Sequence, residues 1–126
     1  ILARYEILEY RDQIAQTLSQ GVRKLLDIAM ASVHDPKMLM LDEPTSGVTA
    51  AEKFSIMDIV VTALKQQDVT ILFVEHDMEI ISRYATRVLA FYDGRIIADA
   101  KPEDALADEQ VRQFVIGETV HAPAAG

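Results

Sequence analysis

The sequence predicts an α/β fold built around a parallel sheet, and three observations carry that expectation. The apolar runs MLML at 38–41 and VTILFV at 69–74 lack polar alternation, the pattern of strands covered on both faces in a parallel sheet. Between them Phe54, Met57, Val61 and Leu64 recur at helical spacing, so strand, helix and strand form a βαβ unit whose crossover is expected to be right-handed. Third, Asp93-Gly94 stands between the β-rich runs RVLAFY and RIIAD, a strong short-range hairpin signal, and this hairpin is expected to close the sheet's edge.

In chain order, residues 1–18 (ILARYEILEYRDQIAQTL) mix apolar and charged positions and read as one or two short helices around Leu8. From Val22, the positions Leu25, Leu26, Ile28, Ala29 and Val33 keep helical spacing as far as His34-Asp35-Pro36, where the residue before proline disfavours continuation. After the first strand and the turn PTSG, Thr49 and Glu52 have the spacing of a capping box for the helix that follows. The segment KPEDALADEQVRQFVIG places Pro102 near a helix start and Gly117 after its last apolar residues, so one or two helices are expected there. ETVHAPAAG at 118–126 reads as a frayed tail, and no repeat, low-complexity tract or linker divides the chain.

Composition narrows the function classes. At 126 residues, half of them apolar, the chain is long enough for one domain with its own core. No run approaches the roughly 18 apolar residues of a membrane-spanning helix, so a soluble chain is expected, and the lack of cysteine fits a reducing compartment, the cytoplasm. Without cysteine there is neither a disulfide framework nor a thiolate metal site. A net charge of −8, with 12 Lys and Arg scattered along the chain, argues against nucleic acid as a partner, because phosphate neutralisation needs clustered cations. The chain opens on Ile1 rather than Met, and a piece of something longer is expected.

Three stretches carry candidate chemistry, and each has two readings. Asp42 and Glu43 follow the first strand, where an Asp could hold a hydrated cation and a Glu could orient a water; alternatively the pair caps a turn. LSQG at 18–21 puts Ser19, Gln20 and Gly21 at a helix start, whose free N–H groups and dipole favour phosphate; alternatively Ser19 is an ordinary helix cap. VEHD puts His76 at the end of the second strand, on the same sheet edge as Glu43, within reach of a phosphate oxygen; alternatively it is a structural histidine.

Taken together, in this order and spacing, these stretches resemble the C-terminal half of the ATP-hydrolysing subunit of an ATP-binding cassette (ABC) transporter. LSQG resembles the signature motif LSGGQ, MLMLDE the Walker B strand with its glutamate, SGVT the D-loop SGLD, and VEHD the switch-histidine loop. ADEQVRQFVIG resembles the ending of the branched-chain amino-acid uptake branch, which implies amino-acid import. The implied fold is the C-terminal part of a P-loop NTPase, its parallel strands and helices followed by a hairpin and a helical tail. Residues 1–18 would end a helical subdomain, 19–117 would form the signature, Walker B, D-loop and switch part, and 118–126 a flexible tail.

The resemblance also implies roles. Asp42 would bind Mg²⁺, Glu43 would polarise the attacking water, and His76 would contact the γ-phosphate of ATP. Ser19, Gln20 and Gly21 would reach the γ-phosphate held by a second ATPase subunit, while Ser46, Gly47 and Thr49 would lie at the dimer seam. Integral membrane permease subunits would be the further partners, with the ATPase on the inner face of the membrane. Departures from the family pattern are Gln20 for a glycine, Val22 for the glutamine, and Val48-Thr49 for Leu-Asp. The phosphate-cradling G-x-x-x-x-G-K-[ST] occurs nowhere in these 126 residues, so the chain by itself is expected to be inactive. The alternatives are a non-enzymatic interaction fragment and a soluble ABC-type ATPase unconnected with transport. A chromosome-maintenance ATPase head would need a coiled-coil heptad that residues 1–18 do not show.

Overall fold

The computed structural model describes residues 1–118, which divide into one unit from Ile1 to Glu75 and a second beginning at His76. The first unit opens with two single 3₁₀ turns, Leu8–Tyr10 and Ala15–Thr17. It continues through α1 (Gln20–Ala31), β1 (Met38–Asp42), α2 (Glu52–Lys65) and β2 (Thr70–Val74). β1 and β2 pair in parallel, with Met40 opposite Leu72 and Asp42 opposite Val74, as the βαβ reading requires.

Helix α1 starts at Gln20 and stops at Ala31, a turn earlier than its apolar spacing implied, so Val33 lies beyond it and is exposed. Its inner face supplies Leu25, Ile28 and Ala29 to a core shared with Leu39 and Leu41 of β1 and with Ile56, Val60, Ala63 and Leu64 of α2. The first residues join this core as well. Tyr5 is fully buried and its hydroxyl donates to Ser32 Oγ (2.9 Å), which donates to the Ala29 carbonyl (2.9 Å), so no polar atom in that trio is left unsatisfied.

The buried stripe of α2 is Ile56, Met57, Val60, Ala63 and Leu64; Phe54 and Val61, expected on it, are only half-buried. The capping box is present. Thr49 N and Oγ1 donate to Glu52 Oε2 (3.2 and 2.7 Å), and Glu52 N donates back to Thr49 Oγ1 (3.3 Å). Each fully buried aliphatic side chain of the stripe contributes about 1.5–3 kcal/mol, against about 1 kcal/mol for a cap, so packing holds α2 and the box sets where it begins.

The expectation that β1 is buried on both faces does not hold. Leu39 and Leu41 are buried, but Met38 and Met40 are 54% and 72% exposed, and Leu72 and Val74 of β2 are exposed on the same side. The helices cover one face, and among the described residues of this unit no second layer covers the other.

The second unit begins with a helix that the sequence reading passed over, α3 (Met78–Tyr84). Asp77 caps it, accepting from Glu79 N (3.0 Å) and Ile80 N (3.4 Å). β3 (Val88–Tyr92) and β4 (Arg95–Ala100) form the expected hairpin, with Asp93 at φ 49° and Gly94 at φ 73° supplying the two left-handed residues of a tight turn. A bulge at Ile97 shifts the register between the Ala90–Ala98 and Phe91–Ile96 pairs. The hairpin does not close the edge of the parallel pair but forms a sheet of its own.

α4 (Pro102–Ala107) packs on α3, on the hairpin and on a π-helical turn, Val111–Ile116. Gly117 ends that turn at φ 79°, and Glu118 N donates to the Arg112 carbonyl (2.9 Å), a span one residue wider than the 6→1 bond that closes an α-helix in a Schellman motif. Glu118 is therefore held, its carboxylate also pairing with Arg112. The remainder of the expected flexible tail, 119–126, lies outside the described residues.

Two carboxyls sit below their ordinary range. Glu52 is lowered first by the Thr49 hydroxyl and then by the Thr49 N–H, and Asp99 chiefly by the bidentate hydrogen bonds of Arg87. A carboxyl whose pKa is lower in the folded state contributes stability above its unfolded-state pKa and loses it as the pH falls through the folded-state value. The melting temperature is thus expected to drop on acidification through and below the ordinary carboxylate range. Thr49→Ala should flatten part of that drop, and an acid limb identical to that of the parent would remove the capping box from this account.

Candidate functional site

The carboxyl end of β1 turns through one of the five non-glycine residues with positive φ among the described residues. Asp42 is the last strand residue, exposed on the same side as Met38 and Met40. Glu43 follows at φ 46°, a left-handed conformation costing a non-glycine residue about 1–2 kcal/mol, so something must hold it there. Its N–H continues the ladder to the Val74 carbonyl (2.9 Å). Its carbonyl accepts twice, from Ser46 N (3.0 Å) and from Lys24 Nζ (3.2 Å).

Two side chains from other elements grip the turn 43–46. Lys24, on α1, also donates to Ser46 Oγ (3.1 Å). Glu75, just past β2, accepts from Thr45 N (3.1 Å) and Thr45 Oγ1 (2.6 Å), the second bond having the short length of a charge-assisted contact. Pro44 between them is buried. The carbonyl end of Glu43 and the two residues before Gly47 are thereby fixed from both neighbouring elements.

The start of α1 lies against the same loop. Gly47 has φ 76°, and a Cβ there would stand 3.3 Å from Gln20 Nε2, so the Gln20 side chain covers this glycine while its Oε1 accepts from Arg23 Nη2 (2.9 Å). Ser19 is the helix cap, its Oγ accepting from Val22 N at 3.3 Å. Gly21 is buried and faces α2, where a Cβ would come within 3.0 Å of Ile56 Cδ1. That close approach of α1 to α2 is a structural reason for glycine at 21.

The structure therefore brings Gln20, Lys24, Glu43, Ser46 and Gly47 together, with Ser19 and Asp42 exposed at the rim. Thr49 stands apart from them in role, its hydroxyl given to Glu52. His76 opens the second unit as an exposed residue ahead of the α3 cap. Among the described residues no group of three or more His, Cys, Asp or Glu side chains is placed to hold a metal ion. Lys24 and Glu75 are the residues the sequence reading missed. The signal for Lys24 was a cation adjoining the buried stripe of α1, three residues after Gly21 and four before Ile28. Glu75 stood unremarked inside VEHD.

A family model described as ABC transporter matches residues 1–46. A probable branched-chain amino acid transport ATP-binding protein, LivG of Archaeoglobus fulgidus, is 37% identical over 84% of this chain and 41% of its own length. LptB of Haemophilus influenzae, a lipopolysaccharide export system ATP-binding protein, is 32% identical over 94% of this chain and 48% of its own. The ADP conformation of MJ1267, an ATP-binding cassette of an ABC transporter, superposes with a TM-score of 0.80 at 30% identity, over 93% of this chain and 47% of that one. The chain spans less than half the length of each.

Proposed function

This chain belongs to the ATP-binding subunits of ABC transporters, and from that premise we propose that it is the hydrolytic half of such a subunit, with the phosphate cradle on a companion segment absent from these 126 residues. The observation that carries this reading is the pinned left-handed turn at Glu43, immediately after Asp42 at the carboxyl end of β1. Left-handed non-glycine backbone held from two sides is found where a side chain must be aimed. Glu43 orients and polarises the water that attacks the γ-phosphate, and His76 contacts that phosphate. Ser19, Gln20 and Gly21 engage the nucleotide of a second ATPase subunit, with Ser46, Gly47 and Thr49 along the seam between the two.

Mg²⁺ fits the donor present. It binds through one or two carboxylates, keeping water and substrate phosphate as its other ligands, so a single exposed Asp42 meets its demand on this segment. When bound, the ion neutralises phosphate charge. The bare apolar face of Met38, Met40, Leu72 and Val74 supports a further layer of the same subunit packing there, since a contiguous exposed apolar face marks a packing surface. No helix among the described residues is long and apolar enough to cross a membrane. In this reading the subunit works through integral permease subunits, from the inner face of the membrane. Branched-chain amino-acid import is the transport reading taken, supported by the LivG relative and by the closing ADEQVRQFVIG.

Calorimetric titration separates the parts of this proposal. The 126-residue chain by itself is expected to give no binding heat with MgATP, whereas the complete subunit carrying the P-loop segment should bind at micromolar concentration and hydrolyse. Micromolar binding by the chain alone would overturn the division of labour, and a complete subunit that binds ATP without hydrolysing it would overturn the role of this half.

A further inference from the structure

Resting on the reading of Glu43 above, we propose that Lys24 is a positioning residue for that carboxylate. The motif carrying Ser19, Gln20 and Gly21 ends before Lys24, and the acidic pair lies 18 and 19 positions beyond it, so neither motif includes it. Its ammonium nevertheless bonds both ends of the turn, the Glu43 carbonyl at 3.2 Å and the Ser46 hydroxyl at 3.1 Å. Those two acceptors are neutral, and the contact with the Glu43 carbonyl is partly buried. A lysine normally leaves its strongly hydrated head in water. Here it gives up part of that hydration for a backbone carbonyl, which makes sense where the carbonyl's direction matters.

The direction matters because of φ 46° at Glu43. The carbonyl of a left-handed residue is turned away from its usual course, and a cation on it stabilises that orientation directly. Without Lys24 the Ser46 N–H remains as an acceptor's partner, but the hydroxyl tie to Ser46 and the cross-element tie to α1 are both lost. Glu43 can then relax toward the right-handed region, carrying its carboxylate off the water. Lys24 also sits one turn along from Gln20, whose side chain covers Gly47, so one helix face of α1 contacts the turn at Glu43, at Ser46 and at Gly47. Whatever engages the start of α1 is therefore mechanically joined to the backbone of Glu43.

A double-mutant cycle in the complete subunit tests this, with Lys24→Met, Lys24→Arg, Glu43→Gln and the Glu43→Gln/Lys24→Met pair. Lys24→Met should lower turnover at saturating ATP by on the order of 10-fold or more, the scale of a small misplacement of a reacting group, with ATP affinity unchanged. Lys24→Arg, which keeps the charged donors, should recover most of it. In the Glu43→Gln background, Lys24→Met should cost nothing further, because the group it positions is already gone. Parental turnover in Lys24→Met, or an equal loss in both backgrounds, overturns the proposal. A Glu43→Gln subunit with parental turnover would instead remove the role given to Glu43, a separate result. Should Lys24→Met not fold, the same cycle is run with the shorter Lys24→Gln, under the same criteria.

Discussion

In the complete subunit, Glu43→Gln is expected to lower ATP turnover by on the order of 10² or more, the range lost with a general base, while leaving ATP binding nearly intact. The substitution keeps the size of the side chain and removes only its charge. The backbone bonds that hold the turn do not involve the side chain, since the Glu43 N–H bonds Val74, and its carbonyl accepts from Ser46 and Lys24. The fold around it should persist, so the loss reports chemistry. An ATP-loaded dimer should then accumulate, because binding proceeds and the step that ends it does not. Size-exclusion chromatography with and without ATP reads the dimer, and a phosphate-release assay reads turnover. Near-parental turnover would return Glu43 to the other reading of the acidic pair, a turn after a strand.

The parts of the fold that were legible in the sequence are those decided by neighbours in the chain. The capping box at Thr49 and Glu52 and the Asp93-Gly94 turn rest on contacts a few residues apart, and both formed as read. The strands β1 and β2 were legible for their apolar runs, yet those runs could not say which side would be covered. Met38 and Met40 are as apolar as Leu39 and Leu41, and only the placement of the helices distinguishes exposed from buried. α3 escaped because Asp77 was read as part of VEHD, although it is also the residue that caps MEII. The hairpin was legible as a hairpin but not as a separate sheet, because strand-to-sheet assignment is a long-range pairing that no local pattern encodes.

The same distinction separates the halves of the site. Asp42, Glu43, Ser19 and His76 were proposed from residue types at element ends. Lys24 and Glu75 act across 19 and 30 positions of chain, on Glu43 and Thr45 respectively, and only the folded β1–β2 and α1 layers bring them there. Gly21 shows the converse. Its motif suggested backbone approaching phosphate, and the structure adds a packing reason, the close approach of Ile56. Ser19 is likewise a cap in the structure, so its second role needs a test that capping cannot mimic.

Ser19→Ala in the complete subunit supplies it. As a cap, Ser19 contributes about 1 kcal/mol or less, since its hydrogen bond to Val22 N, at 3.3 Å, is longer than the optimum near 2.9–3.0 Å. Loss of that bond lowers the melting temperature slightly and leaves turnover per folded molecule unchanged. If Ser19 also reaches a phosphate across the seam, turnover falls too, by on the order of 10² where the lost donor faces developing charge. The fault then belongs to the partner's nucleotide, and mixing subunits reveals it. Combine Ser19→Ala subunits with subunits disabled at the P-loop lysine. In each mixed dimer one site joins an intact P-loop to an intact serine, while the other carries both faults. Activity is therefore expected to return on mixing, to no more than about half that of the parent dimer per mixed dimer if the two sites work independently. Were the serine to serve its own subunit's nucleotide, every site in every mixed dimer would carry one fault. A mixture no more active than its components would then refute the role across the seam and leave Ser19 as a helix cap.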